Sequence, residues 1–227
     1  MLKADLHIHT CYSPDSDSQL EDIIKRCQKL GINCIAIADH GTTKGASKMK
    51  ELAPFKVIVA EEILTTRGEI MGMFLNETIP SGLSPEETVE RIRAQNGLVC
   101  VPHPVDILRS SALAIDTFKE LASQGKIDLA EALNARTILK ICITKSRRLI
   151  DEYKIKATAS SDAHTIDEIG RAYLEIPEFK GREDFLAAVS AGRICGKRNT
   201  PLVHLSSLKE RLFGKKDMEI DNDKCIR

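Results

Sequence analysis

The chain contains no Trp, and aromatic residues make up only 4% of its 227 positions. A large core must therefore be built from Leu, Ile, Val and Ala, the bulk of a 42% hydrophobic composition. Excess charge is missing too, since 33 basic and 33 acidic residues cancel. No net field draws the protein to duplex nucleic acid or to an anionic membrane surface, although a basic patch inside a pocket remains allowed. No window approaches the roughly 18 uninterrupted apolar residues of a membrane span, and the opening residues lack the apolar stretch of a signal peptide. Seven cysteines include no Cys-x-x-Cys pair. Cys27, Cys34, Cys100 and Cys142 fall within apolar patterns, where a thiol acts as a small hydrophobe. That predicts a reducing setting rather than a disulfide framework. The expectation is a soluble, cytoplasmic protein with no membrane partner; oligomeric state is not legible.

What the chain does have is a repeating strand-then-helix pattern. Asp5-Leu6-His7-Ile8-His9-Thr10 alternates polar and apolar residues. An extended strand would place Asp5, His7 and His9 on one side, with Leu6 and Ile8 on the other. Ser18-Gln19-Leu20-Glu21 reads as a capping box. Leu20, Ile23, Ile24, Cys27 and Leu30 then recur at helical spacing until Gly31 ends the helix. Cys34-Ile35-Ala36-Ile37-Ala38 and Val57-Ile58-Val59-Ala60 are apolar runs of the kind buried on both faces of a parallel sheet. Positions 70–75 predict another strand, and Ser84-Pro85-Glu86-Glu87 opens a helix reaching about Gln95.

Leu98-Val99-Cys100-Val101, Leu129-Ala130-Glu131-Ala132-Leu133-Asn134 and Lys156-Ala157-Thr158-Ala159-Ser160 continue the strands. Helices are expected over 114–123 and from after 134 to 151, then a strand over 172–176 and a helix over 182–191. This alternation predicts an α/β fold with a mainly parallel sheet and right-handed crossovers. We expect one domain over 1–213 and a charged, frayed tail over 214–227.

Polar residues gather at the ends of these strands. His7 and His9 end the first, His40 follows the second, His103 follows 98–101 and His164 follows 156–160. Of the six histidines, His204 is the exception and reads as structural. Glu62, Asp162 and, in the first loop, Asp15 occupy similar positions. In a closed parallel sheet all strand ends of one polarity form one rim, so residues remote in sequence face one another. Imidazole with carboxylate suits Zn²⁺, Mn²⁺ or Fe²⁺ better than a Cys-rich structural site does. This set exceeds what one ion uses, implying two or three divalent metals. Clustered ions favour phosphate-ester hydrolysis, one activating water and others stabilising the developing charge.

These motifs, Asp5-Leu6-His7-Ile8-His9-Thr10, Ala38-Asp39-His40, Glu62, Pro102-His103-Pro104 and Ser161-Asp162-Ala163-His164, resemble in order those of PHP-domain (polymerase and histidinol phosphatase) metal-dependent phosphoesterases. The resemblance covers about residues 3–204 and is to a small stand-alone member. It implies a distorted seven-stranded (β/α) barrel with up to three metals at the carboxyl ends of its strands. Carried over residue by residue, it gives His7, His9, Glu62 and Asp162 to a first metal. Glu62 would bridge to a second, shared with His103, and Asp15, His40 and His164 would hold a third. Two positions depart from the common pattern. Gly68-Glu69 stands where many relatives carry Gly-His, and Asn134 stands where some carry another His. Glu69 can still supply a carboxylate to the second site.

Arg109, Arg136 and Arg171 each closely follow a motif, and arginine's planar fork suits a phosphate dianion. With Asn134, they are the candidate substrate contacts. The expected activity is hydrolysis of a phosphate ester of a small metabolite or nucleotide by metal-bound hydroxide attack on phosphorus. Asp162, His164 and His40 are the candidate catalytic residues, His164 as a possible proton donor to the leaving group. Two alternatives stay open: amidohydrolase-like C–N hydrolysis, and a metal-binding regulatory or scaffold module without turnover.

Overall fold

The structure is a computed structural model and describes residues 1–199. The expected tail over 214–227, the boundary at 213 and His204 lie outside the described residues. In chain order the elements are β1 (Leu2–Ile8), α1 (Leu20–Leu30), β2 (Cys34–Ile37), α2 (Lys44–Leu52), β3 (Lys56–Thr65), β4 (Gly68–Met73), α3 (Pro85–Ala94) and β5 (Leu98–Val101). They continue with α4 (Ile115–Ser123), β6 (Leu129–Asn134), α5 (Lys140–Glu152), β7 (Lys156–Ser160), β8 (Ala172–Ile176), α6 (Arg182–Ser190) and β9 (Arg193–Gly196). The strands at 129–134, 156–160 and 172–176 fall where the patterning puts them.

The fold is mixed α/β, with nine strands in the order β7-β6-β5-β4-β3-β2-β1-β8-β9. The sheet curls until Ile8 bridges Ala163, where His9 N donates to Ala163 O at 2.9 Å, so the barrel is nearly closed. This corrects the expected seven strands. It also corrects the mainly parallel sheet, because four strand pairs are parallel and four antiparallel. The difference comes from β4, which returns from β3 through a tight turn rather than a helical crossover. It comes also from β8 and β9, which add to the free edge of β1.

Two apolar layers hold the barrel. The inner one packs small residues such as Ala36, Ala60 and Cys100 against Leu6, Met71 and Leu129. At the end where β1 and β3 begin, Phe185 stacks edge-on with Phe179 (4.9 Å) and Phe74 (5.2 Å) and fills the barrel floor. The outer layer joins Ile35, Ile37, Val59 and Val99 to Leu20, Ile23, Val89, Ile92, Phe118 and Leu121 of the helices. The four cysteines of the apolar patterns are buried free thiols.

Of the two expected helix-start signals, the one at Ser84 forms its cap and the one at Ser18 does not. Ser84 Oγ accepts from Glu87 N at 3.1 Å, and Pro85 opens α3 as expected. The box expected at Ser18 does not form. Gln19 is the N-cap of α1 with no side-chain cap, because Ser18 Oγ instead donates to His164 O at 3.1 Å. Among the described residues no helix is long and apolar enough to cross a membrane.

Candidate metal centre

The alternation expected for β1 is broken by a bulge. Ala4 and Asp5 pair with Cys34 and Ile35, whereas Ile8 pairs with Ile37, so β1 spends three residues where β2 spends two. Leu6 belongs to the inner layer and Ile8 to the outer, which leaves His7 aimed inward beside Leu6. Asp5 is not brought to the histidines. It turns outward, where its carboxylate accepts from Ser161 N and Gly170 N, each at 2.9 Å.

The other residues reach the rim by separate routes. Asp39 accepts from Thr10 N (2.6 Å) and Thr10 Oγ1 (2.8 Å), which fixes the first loop and the following His40. Gly45 lets α2 pass over this contact, since a Cβ there would collide with Asp39 Oδ2 and lie 2.6 Å from Thr10 Oγ1. Ser13 Oγ donates to Asp15 Oδ1 at 3.0 Å. Glu62 lies within β3, and Glu69 faces it across the β3–β4 hairpin because an antiparallel strand begins at the rim where its partner ends. His103 and Asp162 hold backbone φ of 30° and 53°, conformations sparsely populated by residues with a side chain.

Three groups of donor atoms result. His7 Nε2 and His9 Nε2 lie 3.0 Å apart. Glu62 Oε2 is 3.2 Å from the first and 3.4 Å from the second, and Asp162 Oδ1 is 3.4 Å from His9 Nε2. On one side, Glu62 Oε1 meets His103 Nε2 at 2.8 Å, and Glu69 Oε2 lies 3.5 Å from the same nitrogen. On the other, Asp15 Oδ2 is 3.1 Å from His164 Nε2 and 3.4 Å from His40 Nε2. The structure thus brings together all nine expected ligands: His7, His9, Asp15, His40, Glu62, Glu69, His103, Asp162 and His164.

Burial and mutual charge set their protonation. Burial pushes Asp162 up, but Arg109 and His7 outweigh it and hold the carboxyl well below its ordinary value. Glu62 is likewise held far down by His7 and His40 despite its burial. Burial, reinforced by His164, pushes the His9 imidazole down to about 3. His40 is lifted to about 9, because Glu62 and Asp15 outweigh its burial. Burial and the neighbouring Glu62 charge push Glu69 up.

A cavity of about 660 Å³ opens over the cluster, lined at its depth by Asp15, His40, Glu62, Glu69 and His164 and nearer solvent by Leu64, Leu108 and Ile138. That is the size of a small-molecule site. Arg109 and Arg136 line it; Arg109 Nη2 pairs with Asp162 Oδ2 at 2.7 Å. Arg171 does not. Gly170 is held on the outer side of β1 by Asp5, and exposed Arg171 lines a separate depression with Arg26 and Lys197. Asn134 is buried beneath the ligands, its amide donating to Glu131 Oε2 (2.7 Å) and Asp162 Oδ2 (3.1 Å). Sequence reasoning passed over Glu131; its signal was one carboxylate inside the apolar strand Leu129-Ala130-Glu131-Ala132.

The donor set fits divalent cations. Asp162 Oδ1 and Glu69 Oε2 are buried acceptors without a hydrogen-bond donor, and buried polar atoms left so are expensive unless a cation satisfies them.

The family model described as PHP-associated matches residues 144–194, the segment carrying Asp162 and His164. Two proteins of Methanocaldococcus jannaschii are relatives. MJ1587 is 48% identical over 116 residues (45% of this chain, 68% of that protein), and MJ0417 is 33% identical over 178 (78% and 71%). Among solved structures, a two-domain protein from Bacteroides vulgatus, named as containing a predicted PHP-like metal-dependent phosphoesterase, superposes with TM-score 0.69 at 14% identity. The match covers 86% of this chain and 65% of that one. An amidohydrolase from Chromobacterium violaceum with bound sulfate gives 0.61 at 14% identity, covering 85% and 97%. The chain belongs to the PHP-domain family.

Proposed function

We propose that this protein is a metal-dependent phosphoesterase acting on a small phosphorylated metabolite or nucleotide. The observation that carries the reading is the meeting of an imidazole–carboxylate cluster with Arg109 in one cavity. His7, His9, Glu62 and Asp162 would hold one ion. Glu62, Glu69 and His103 would hold a second, and Asp15, His40 and His164 a third. Divalent ions there supply water activated at neutral pH and positive charge facing the phosphoryl oxygens. Arg109 offers a guanidinium fork to those oxygens. His40 and His164 line the cavity, and with the third ion absent either can pass a proton to the leaving oxygen.

The likeness to an amidohydrolase favours a second reading, hydrolysis of a C–N bond at the same centre, since activated water also attacks carbonyl carbon. One experiment separates them. Protein reconstituted with Mn²⁺ or Zn²⁺ is assayed for metal content and screened against phosphate esters and amides. Phosphate release that disappears in both His40→Ala and Asp162→Asn supports the phosphoesterase. Turnover of amides with none of phosphate esters overturns it.

A further inference from the structure

We propose that Glu131 is a positioning residue that fixes the tautomer of His7 and ties three expected ligands to one carboxylate. This rests on the metal reading above.

Glu131 is 2% exposed and lies below the donor cluster, inside the barrel. Its Oε1 is hydrogen-bonded to His7 Nδ1 at 3.0 Å and receives the Ser160 hydroxyl. Its Oε2 accepts from His103 N at 2.6 Å and from Asn134 Nδ2 at 2.7 Å. Two of the four are fixed donors, an amide N–H and a carboxamide N–H, and a carboxylate has no proton to return. Glu131 therefore acts as an acceptor throughout, and the proton of neutral His7 belongs on Nδ1. The lone pair is then on Nε2, the nitrogen 3.0 Å from His9 Nε2 and 3.2 Å from Glu62 Oε2. An imidazole whose far nitrogen donates to a carboxylate is oriented and made a better ligand.

The same carboxylate reaches two more positions. It holds the backbone of His103, whose φ of 30° needs such support. Through Asn134, which also donates to Asp162 Oδ2 at 3.1 Å, it fixes one oxygen of Asp162 and leaves Oδ1 for an ion. A second bulge, between Glu131 and Leu133 in β6, lies where these bonds converge. Gln can turn its oxygen toward the two fixed donors, but its NH₂ then faces Ser160 and His7 Nδ1 and would hold the His7 proton on Nε2, the wrong tautomer for a ligand bound through that nitrogen. Glu131→Gln is thus a severe change at constant size.

The test uses the full chain. Histidine side-chain nitrogen NMR of the Zn²⁺-loaded wild type should show His7 protonated at Nδ1 and coordinated through Nε2. Titration of Glu131→Gln with Zn²⁺ should show about a 10- to 100-fold weaker tightest site, the usual loss when a ligand's outer partner is removed. Melting of the metal-free variant identifies any unfolded sample. His7 protonated at Nε2 in the loaded wild type overturns the inference with no variant needed. A folded Glu131→Gln that binds Zn²⁺ within about twofold of wild type also overturns it. If the wild type binds no divalent ion, it is the metal reading that fails instead.

Discussion

The two sides of the centre are built differently. On the β1–β7 side, the groups behind the donor atoms are themselves held: His7 by Glu131, His9 by Ser13, and Asp162 by Arg109 and Asn134. On the β4–β5 side, Glu69 Oε2 and His103 Nδ1 are buried with no hydrogen-bond partner, and Glu69 lies 3.5 Å or more from the imidazoles it faces. The first side is arranged before an ion arrives. The second depends on an ion to complete it, and it holds Glu69, one of the two positions where this sequence departs from the common family pattern. Preorganisation lowers the cost of binding, so the ions should fill in that order.

The largest expected effect breaks the organised side. Asp162→Asn keeps a residue type that tolerates positive φ, so the fold should survive. It should lose the first ion and reduce phosphate release by more than the roughly 100-fold upper end of outer-partner losses. Metal analysis and a phosphate assay check both. Next comes the other side: Glu69→Gln should lower metal content by one ion while leaving the tightest site intact, and Glu69→His should restore it. Equal loss from both sites in Glu69→Gln would erase the contrast.

Arg109→Ala should raise KM about 10- to 100-fold, in line with the roughly 1.5–3 kcal/mol of a hydrogen bond to a charged group. Arg109→Lys should recover only part of that, because it restores charge without the fork. A kinetic comparison of the three proteins reads this.

Acidity sharpens the comparison further. His40, lifted from 6.5 to about 9, stabilises the metal-free fold fully below 6.5 and loses that contribution as pH rises through about 9. An ion bound there must displace the proton, so its affinity should increase with pH over the same window and level off above it. Calorimetry in buffers of different ionisation enthalpy should detect proton release at neutral pH. The smallest effect is a control remote from the centre: Ser84→Ala should cost about 1 kcal/mol through the lost α3 cap, with unchanged metal content on melting and metal analysis.

Much of this was legible in the chain. Continuous apolar runs marked β2, β3 and β5, and the polar residues following them marked the rim, since both depend on local pattern. What escaped depended on tertiary context. α2 carries few apolar residues and begins Lys44-Gly45, yet it forms because Ala46 and Met49 are buried against the barrel. β9 has four residues, none of them buried, and exists by pairing with β8. The inward turn of His7 and the outward turn of Asp5 come from a one-residue bulge that alternation cannot reveal. Arg171 shows the same limit: proximity to a motif in sequence does not carry a side chain to the motif's side of the sheet.

That bulge also sorts charge. Strict alternation would place Asp5 beside His7 and His9, adding a fifth carboxylate to Asp15, Glu62, Glu69 and Asp162. By turning it outward, β1 keeps the donor set at four acidic groups and spares the centre a further buried negative charge. The charge gathered at the centre is thus set in part by the register of one strand. Asp5 is put to mechanical use instead, as the peg on which Ser161 and Gly170 hang.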